Sequence, residues 1–395
     1  MGVPRFEPFP ALRYAVDDTS RLDDVIAPPY DVLSETDVDA LAARHRHNIV
    51  HVDVPRERDG GGRYAAAGER LRAWIAEGVL VADEQPTFTI YRMRFTDAAG
   101  RRRDIAGVLG ALEVVDEGAG GVLPHERTTP KASTDRLDLT RATGANLSPI
   151  WGLSLRRGLT ELLGAPGEPV GSVTVDGVEH TVERVADPAR VRAIGAAVES
   201  DDVLIADGHH RYGVARAYRD ETAGAAGTDL TLAFVSELVA DQLSVEAIHR
   251  VYRGVGRDVL VSALAASFDL RPAGPVDSGT LAEMERRGVL CLVDRDGAGT
   301  WLEPRPGAFA GVRALDGLWL ERALDATGVD VGYQHGVDQV LTLLGDDPTV
   351  TAAVLIRPVT VAEIERTARE GVLMPPKSTF FTPKLRTGLV VRPIA

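Results

Sequence analysis

One stretch limits the possible fold more than any other. Residues 201–213 read Asp201-Asp202-Val203-Leu204-Ile205-Ala206-Asp207-Gly208-His209-His210-Arg211-Tyr212-Gly213, and a helical composition continues to Glu221. The apolar run Val203–Ala206 predicts a short strand, so the motif is a strand that turns through Asp-Gly into a helix. Such strand ends are where α/β proteins tend to collect ligands. Asp207 is a natural helix cap, and Gly208 lets the backbone turn tightly or approach a ligand closely. The helix start favours anions, through its N–H groups and the positive end of its dipole. Arg211 adds a planar, permanently charged fork suited to phosphate. His209 and His210 can donate hydrogen bonds, move protons or bind a metal. The plainer alternative is an ordinary turn followed by a solvated helix start.

A chain of 395 residues with 44% hydrophobic content can build two or three domains or one large one. We expect mixed α/β sheets with flanking helices, divided into an N-terminal portion (1–110), a central portion (111–255) and a C-terminal α/β portion (256–395). The net charge of −14 argues against bulk nucleic-acid binding and against electrostatic attachment to membranes. It leaves room for a local cationic pocket. No apolar run is long enough to span a bilayer. The first ten residues lack a secretory pattern, and a cytoplasmic location is the expectation. The single cysteine, Cys291, lies in an apolar run and is expected to be buried and inert.

Four further polar clusters accompany the central motif. Pro28-Pro29-Tyr30-Asp31 stiffens a segment that leads to Ser34, a cap for the helix Glu35–Arg46, and Tyr30 and Asp31 are placed to line a site or merely a turn. Asn48–Val54 alternates as a half-buried strand does. His125-Glu126-Arg127-Thr128-Thr129-Pro130-Lys131 lacks a second histidine four residues on, so the helical zinc-protease pattern fails. As a ligand loop it would use Glu126 as base or Mg²⁺ ligand, with Lys131, Arg136 or Arg141 on phosphate. His249-Arg250 and the tail Lys377-Ser378-Thr379 could add phosphate ligands, or be a surface pair and a basic strand flank. No glycine-rich loop precedes Lys377, so it is not a P-loop. His335 is open between a catalytic and a loop role.

Together these clusters resemble a large bacterial family long filed as a domain of unknown function. The residues carrying the likeness are Ala27-Pro28-Pro29-Tyr30-Asp31-Val32, Asn48-Ile49-Val50, His125–Thr128 with Lys131 and Asp135-Arg136, Asn146-Leu147-Ser148-Pro149, Ile205–Tyr212, His249-Arg250 and Lys377–Thr379. Two positions depart from the family pattern. Gly336 stands where an aspartate often follows the histidine, and Thr382 where an aromatic is frequent. The turn Asp207–Arg211 is also similar to the phosphate-handling turn of the ParB/sulfiredoxin-like superfamily, which includes free-serine kinases. The resemblance implies a kinase of a small hydroxyl compound such as L-serine, with pyrophosphate, ATP or ADP as donor. Sulfiredoxin chemistry needs an exposed reactive cysteine, which Cys291 does not offer.

The sequence therefore points to a phosphotransferase acting on a small molecule. Gly208, His209, His210 and Arg211 would hold the donor. His125, Thr128, Lys131, Arg136, Asn146, Ser148, His249, Arg250, Lys377, Ser378 and Thr379 are further binding candidates. Mg²⁺ would sit on Asp207 or Glu126, and Asp31 or Glu126 would take the acceptor proton. A phosphohydrolase and a non-catalytic nucleotide sensor are the alternatives. The oligomeric state is open.

Overall fold

The computed structural model describes residues 2–15, 22–57, 62–97, 100–126, 133–277 and 279–394. The fold is mixed α/β, as expected. It forms two compact units, one of residues 1–244, 365–372 and 383–395, the other of 245–364 and 373–382. After residue 364 the chain therefore enters the first unit, leaves it, and returns to it for the last residues.

The first unit is built on a nine-stranded mixed sheet. Its order is Val122–Pro124, Val203–Asp207, Ile150–Ser154, Leu230–Glu237, Arg102–Glu113, Phe88–Thr96, Val178–Val185 and Glu168–Val175, with Phe6–Glu7 added on Arg102–Glu113. Strands from residues 1–110 and from 111–255 thus lie side by side in one sheet. The strand Val203–Asp207 runs parallel to Val122–Pro124 and antiparallel to Ile150–Ser154. Val203, Leu204, Ile205 and Ala206 are all buried. A strand covered on both faces has no need of polar alternation, which is why this one reads as an unbroken apolar run.

A hairpin turning at Asp176-Gly177 pairs Glu168–Val175 with Val178–Val185. Ser34 caps the helix Glu35–Arg44 with a capping box: its hydroxyl accepts from the Asp37 N–H, and the Asp37 carboxylate accepts from the Ser34 N–H. The expected strand over Asn48–Val54 is instead the short helix Val50–Asp53. The cause is Asn48. Its side-chain N–H₂ donates to the carbonyls of Asp24 and Ile26, and its Oδ1 accepts from the Val50 N–H. That local bonding fixes a turn, and Ile49, Val50 and Val52 are buried around it.

The second unit carries a six-stranded antiparallel sheet, ordered Phe268–Pro275, Ala298–Pro304, Leu290–Val293, Val350–Leu355, Ile248–Arg253 and Asp330–His335. Leu290 and Leu292 enter one core cluster, while Cys291 and Val293 enter another. The two faces of one strand thus feed two cores. Cys291 is fully buried, and burial pushes its thiol up to about 12.

Candidate active site

The central motif forms the expected strand, turn and helix, with one change of role. The helix runs His209–Glu221, and its N-cap is Gly208 at φ +90°, not Asp207. Only glycine takes that backbone conformation without strain. A cap there would have to be a side chain that glycine lacks, so the turn leaves the helix start to other groups.

Asp207, freed from capping, lies between two cations. Its Oδ1 accepts from Lys384 Nζ at 2.9 Å and its Oδ2 from Arg211 Nη2 at 2.6 Å. Burial opposes ionisation of this carboxyl, but Lys384 and Arg211 outweigh it and hold the group well below the usual carboxylate range. Arg211 also donates to the Pro149 carbonyl. Burial works against its charge too, and Asp207, Asp31, Tyr30 and Asp53 together keep it protonated. Two cations thus converge on one carboxylate at a corner beside a helix N-terminus.

Behind this corner stand the histidines. His125 is fully buried, and its Nδ1 meets the Ile205 carbonyl at 2.5 Å. A carbonyl only accepts, so Nδ1 carries the proton. Burial drives this imidazole down to about 4 and keeps it neutral. The His125 and His209 rings lie 4.9 Å apart between centroids, and Glu126 Oε2 is 3.9 Å from His125 Nε2. His210 is half-buried on the same helical turn. His125, Glu126, Asp207, Gly208, His209, His210 and Arg211 therefore gather in the first unit. Thr128 and Lys131 lie outside the described residues.

A cleft adjoins the corner. Its volume is about 50 Å³, and Tyr30, Asp53, Arg136, Asn146, Ser148 and Arg211 are among its walls. Arg136 projects from the helix Ser133–Thr143. It donates to Asp53 Oδ1 at 3.1 Å and to the Asp53 carbonyl at 2.7 Å, contacts Asp135, and stacks 4.0 Å from the Tyr30 ring centroid. Asp53 is only 2% exposed, and burial raises its carboxyl above the ordinary range. Asp31 is exposed on the one-turn helix Tyr30–Val32.

Several expected ligands are already engaged. Asn146 Oδ1 accepts from the Leu232 N–H and from Arg392, and Ser148 pairs with Thr387 at 2.8 Å. Arg141 pairs with Asp138 and Glu221 at the surface.

The remaining candidates belong to the second unit. His249 accepts the Ile356 N–H on Nδ1, and burial, aided by Arg250, lowers it to about 4. Arg250 is buried and donates to the carbonyls of Ile248 and Lys377. Lys377 is exposed, Ser378 donates to the Pro375 carbonyl, and Thr379 is buried. His335 ends a strand with its ring stacked 4.6 Å from Phe380.

Two residues of the first unit were missed by sequence reasoning. Asp53 was hidden by its assignment to a strand. Lys384 sits in a basic tail where Lys377 carried the more conspicuous motif. Neither has a local pattern to mark it, since each acts through a partner more than 80 residues away.

Asp207 does not fit the Mg²⁺ role expected of it, because both of its oxygens are held by cations. Among the described residues no group of three or more His, Cys, Asp or Glu side chains is arranged to hold a metal. No helix among them is long and apolar enough to cross a membrane.

Residues 6–326 match the family described as a protein of unknown function, DUF1015. A search of curated proteins finds no match. Among solved structures, the chain is similar to a free serine kinase mutant in complex with AMP, at 13% identity and a TM-score of 0.38, over 68% of this chain and 89% of that one. It is similar to a conserved hypothetical protein from Pyrococcus furiosus at 13% identity and a TM-score of 0.37, over 66% and 87%. It is similar to SbnI with a C-terminal truncation, from Staphylococcus aureus, at 14% identity and a TM-score of 0.37, over 72% and 87%. At these scores the function has to be read from the chain's own residues.

Proposed function

The chain belongs to the DUF1015 family, described only as being of unknown function, and we propose from this member's own site that it is a small-molecule phosphotransferase. One observation carries the reading: a helix that begins at a glycine, with Lys384 and Arg211 converging on Asp207 beside its first turn. Such a corner suits a phosphate group, which takes N–H donors and cations together. The donor phosphates, from pyrophosphate or a nucleotide, bind at His209, His210 and Arg211. Neutral His125 supports the His209 ring from behind.

The adjoining cleft takes the acceptor, a small hydroxyl compound for which L-serine is the first choice. Arg211 lines the cleft and touches Asp207, so it stands where the two substrates meet. Phosphoryl transfer is mostly positioning and charge neutralisation, and Arg211 serves both. Arg136 is already bound to Asp53 and Asp135, so it shapes the acceptor cleft and leaves the donor to the helix corner.

A ³¹P NMR time course tests the proposal. The protein is incubated with pyrophosphate, ATP or ADP, with and without L-serine, and with and without Mg²⁺. A phosphoserine resonance that needs L-serine is expected. Phosphate release independent of acceptor would replace the transferase with a hydrolase, and unchanged donors would remove L-serine phosphorylation from the reading.

A further inference from the structure

A second cavity in the first unit lies outside the site just described. Its volume is about 280 Å³, close to the lower end of the roughly 300–1,000 Å³ of small-molecule pockets. One wall is the helix Glu35–Arg44. Asp37, Ala40, Leu41 and Arg44 all line the cavity. They are spaced i, i+3, i+4 and i+7, which is a single stripe of a helix. Val38 is the only buried residue of that helix, so the stripe facing the cavity is not packed away in the core. Val32, a large apolar side chain left 43% exposed, lies on the same cavity. The Pro28–Val32 segment that supplies it also carries Tyr30 of the first cleft.

The polar anchor is Arg386. It is 9% exposed and lines the cavity. Its Nη2 donates to Asp176 Oδ2 at 2.7 Å, while its Nε is buried and has no hydrogen-bond partner. Nε and Nη2 form the edge of a guanidinium that a carboxylate engages with two parallel bonds. Asp176 fills half of that edge. It does so from the tip of a hairpin, at φ +53° and with a side chain 77% exposed, so its carboxylate is free to swing out into water. Asp37 does not compete for the arginine, because Ser34 engages it.

We propose that this cavity is a second ligand site, for an amphiphilic carboxylate whose head takes the Nε–Nη2 edge of Arg386 in place of Asp176. Its hydrocarbon body lies along Leu41, Ala40 and Val32. The site goes beyond the phosphotransfer reading and does not depend on it.

Calorimetric titration of the full chain with octanoate, and with its neutral isostere octanamide, tests the site. Octanoate is expected to bind at one site, and octanamide about tenfold more weakly or less, as loss of a charge-assisted bidentate pair implies. Three variants separate recognition from folding. Arg386→Gln should abolish the preference for the acid. Asp176→Asn, on the surface, should tighten octanoate binding by removing its competitor. Leu41→Trp should fill the cavity and abolish binding with the melting temperature unchanged. Equal binding of acid and amide, no octanoate binding, or an Asp176→Asn protein that binds no more tightly would each overturn the proposal.

Discussion

Asp207 illustrates how a single side chain's role depends on a partner far along the chain. Its sequence neighbours suggest a helix cap, but Lys384 draws its carboxylate away. These ion pairs are half-buried, so removing one partner costs less than a fully buried pair would, about 1–3 kcal/mol. Arg211→Ala should therefore lower stability by about that much, measured by urea unfolding, as well as turnover by about 100-fold or more. Lys384→Met should destabilise similarly. A tail lysine serving only as surface charge would leave the midpoint unmoved. The buried histidines give a second residue-level prediction. His125 should appear in imidazole ¹⁵N spectra as the neutral Nδ1–H form at pH 5. His249, whose Nδ1 accepts from the Ile356 N–H, should appear as the opposite tautomer.

Two glycines decide how the elements meet. A Cβ at Gly208 would need φ +90° and would lie 3.1 Å from both Arg211 Nε and Ile150 Cγ2. Gly208→Ala should cost about 1–3 kcal/mol and weaken phosphate binding, seen by paired thermal melts and pyrophosphate titration. A Cβ at Gly68 would fall 2.1 Å from the Ala142 carbonyl oxygen. Gly68→Ala should therefore push apart the helices Arg63–Ala76 and Ser133–Thr143, and with the second helix Arg136. A melting temperature equal to that of the unaltered protein would contradict that packing. The elements themselves were largely legible in the sequence. Val203–Ala206 is apolar without interruption, Ser34 stands three residues before Asp37, and Asp176-Gly177 marks its hairpin. Asn48–Val54 was misleading because side-chain bonds of Asn48 override an alternating pattern. Gly68 left no sign, because a close helix approach depends on what faces it.

At the scale of the whole molecule, the site was legible as chemistry and only partly as geometry. His125, Glu126, Asp207, His209, His210 and Arg211 come together in the first unit, whereas His249, Arg250 and Lys377–Thr379 belong to the second. Which unit a residue joins is set by topology, and no residue spacing reports it. Stability should also depend on pH. Burial holds His125 and His249 down to about 4, and His180, buried with its Nδ1 at the Tyr91 hydroxyl, down to about 3 in the folded chain, against about 6.5 when unfolded. Between those values the unfolded chain binds more protons, so stability falls as pH drops below about 6.5. The loss is about 2 kcal/mol for each histidine by pH 5. Asp207, with its lowered value, keeps its contribution until the pH falls below about 3.8, so it does not mask this loss. Scanning calorimetry at pH 7 and pH 5 should show lower transition temperatures at the lower pH. The most direct test of the central claim is an amide ¹H–¹⁵N titration of the ¹⁵N-labelled protein with pyrophosphate. The account predicts that the largest saturable shifts fall on His209, His210 and Arg211, and that Gly208→Ala diminishes them. Saturable shifts centred elsewhere, with these three amides unmoved, would contradict it.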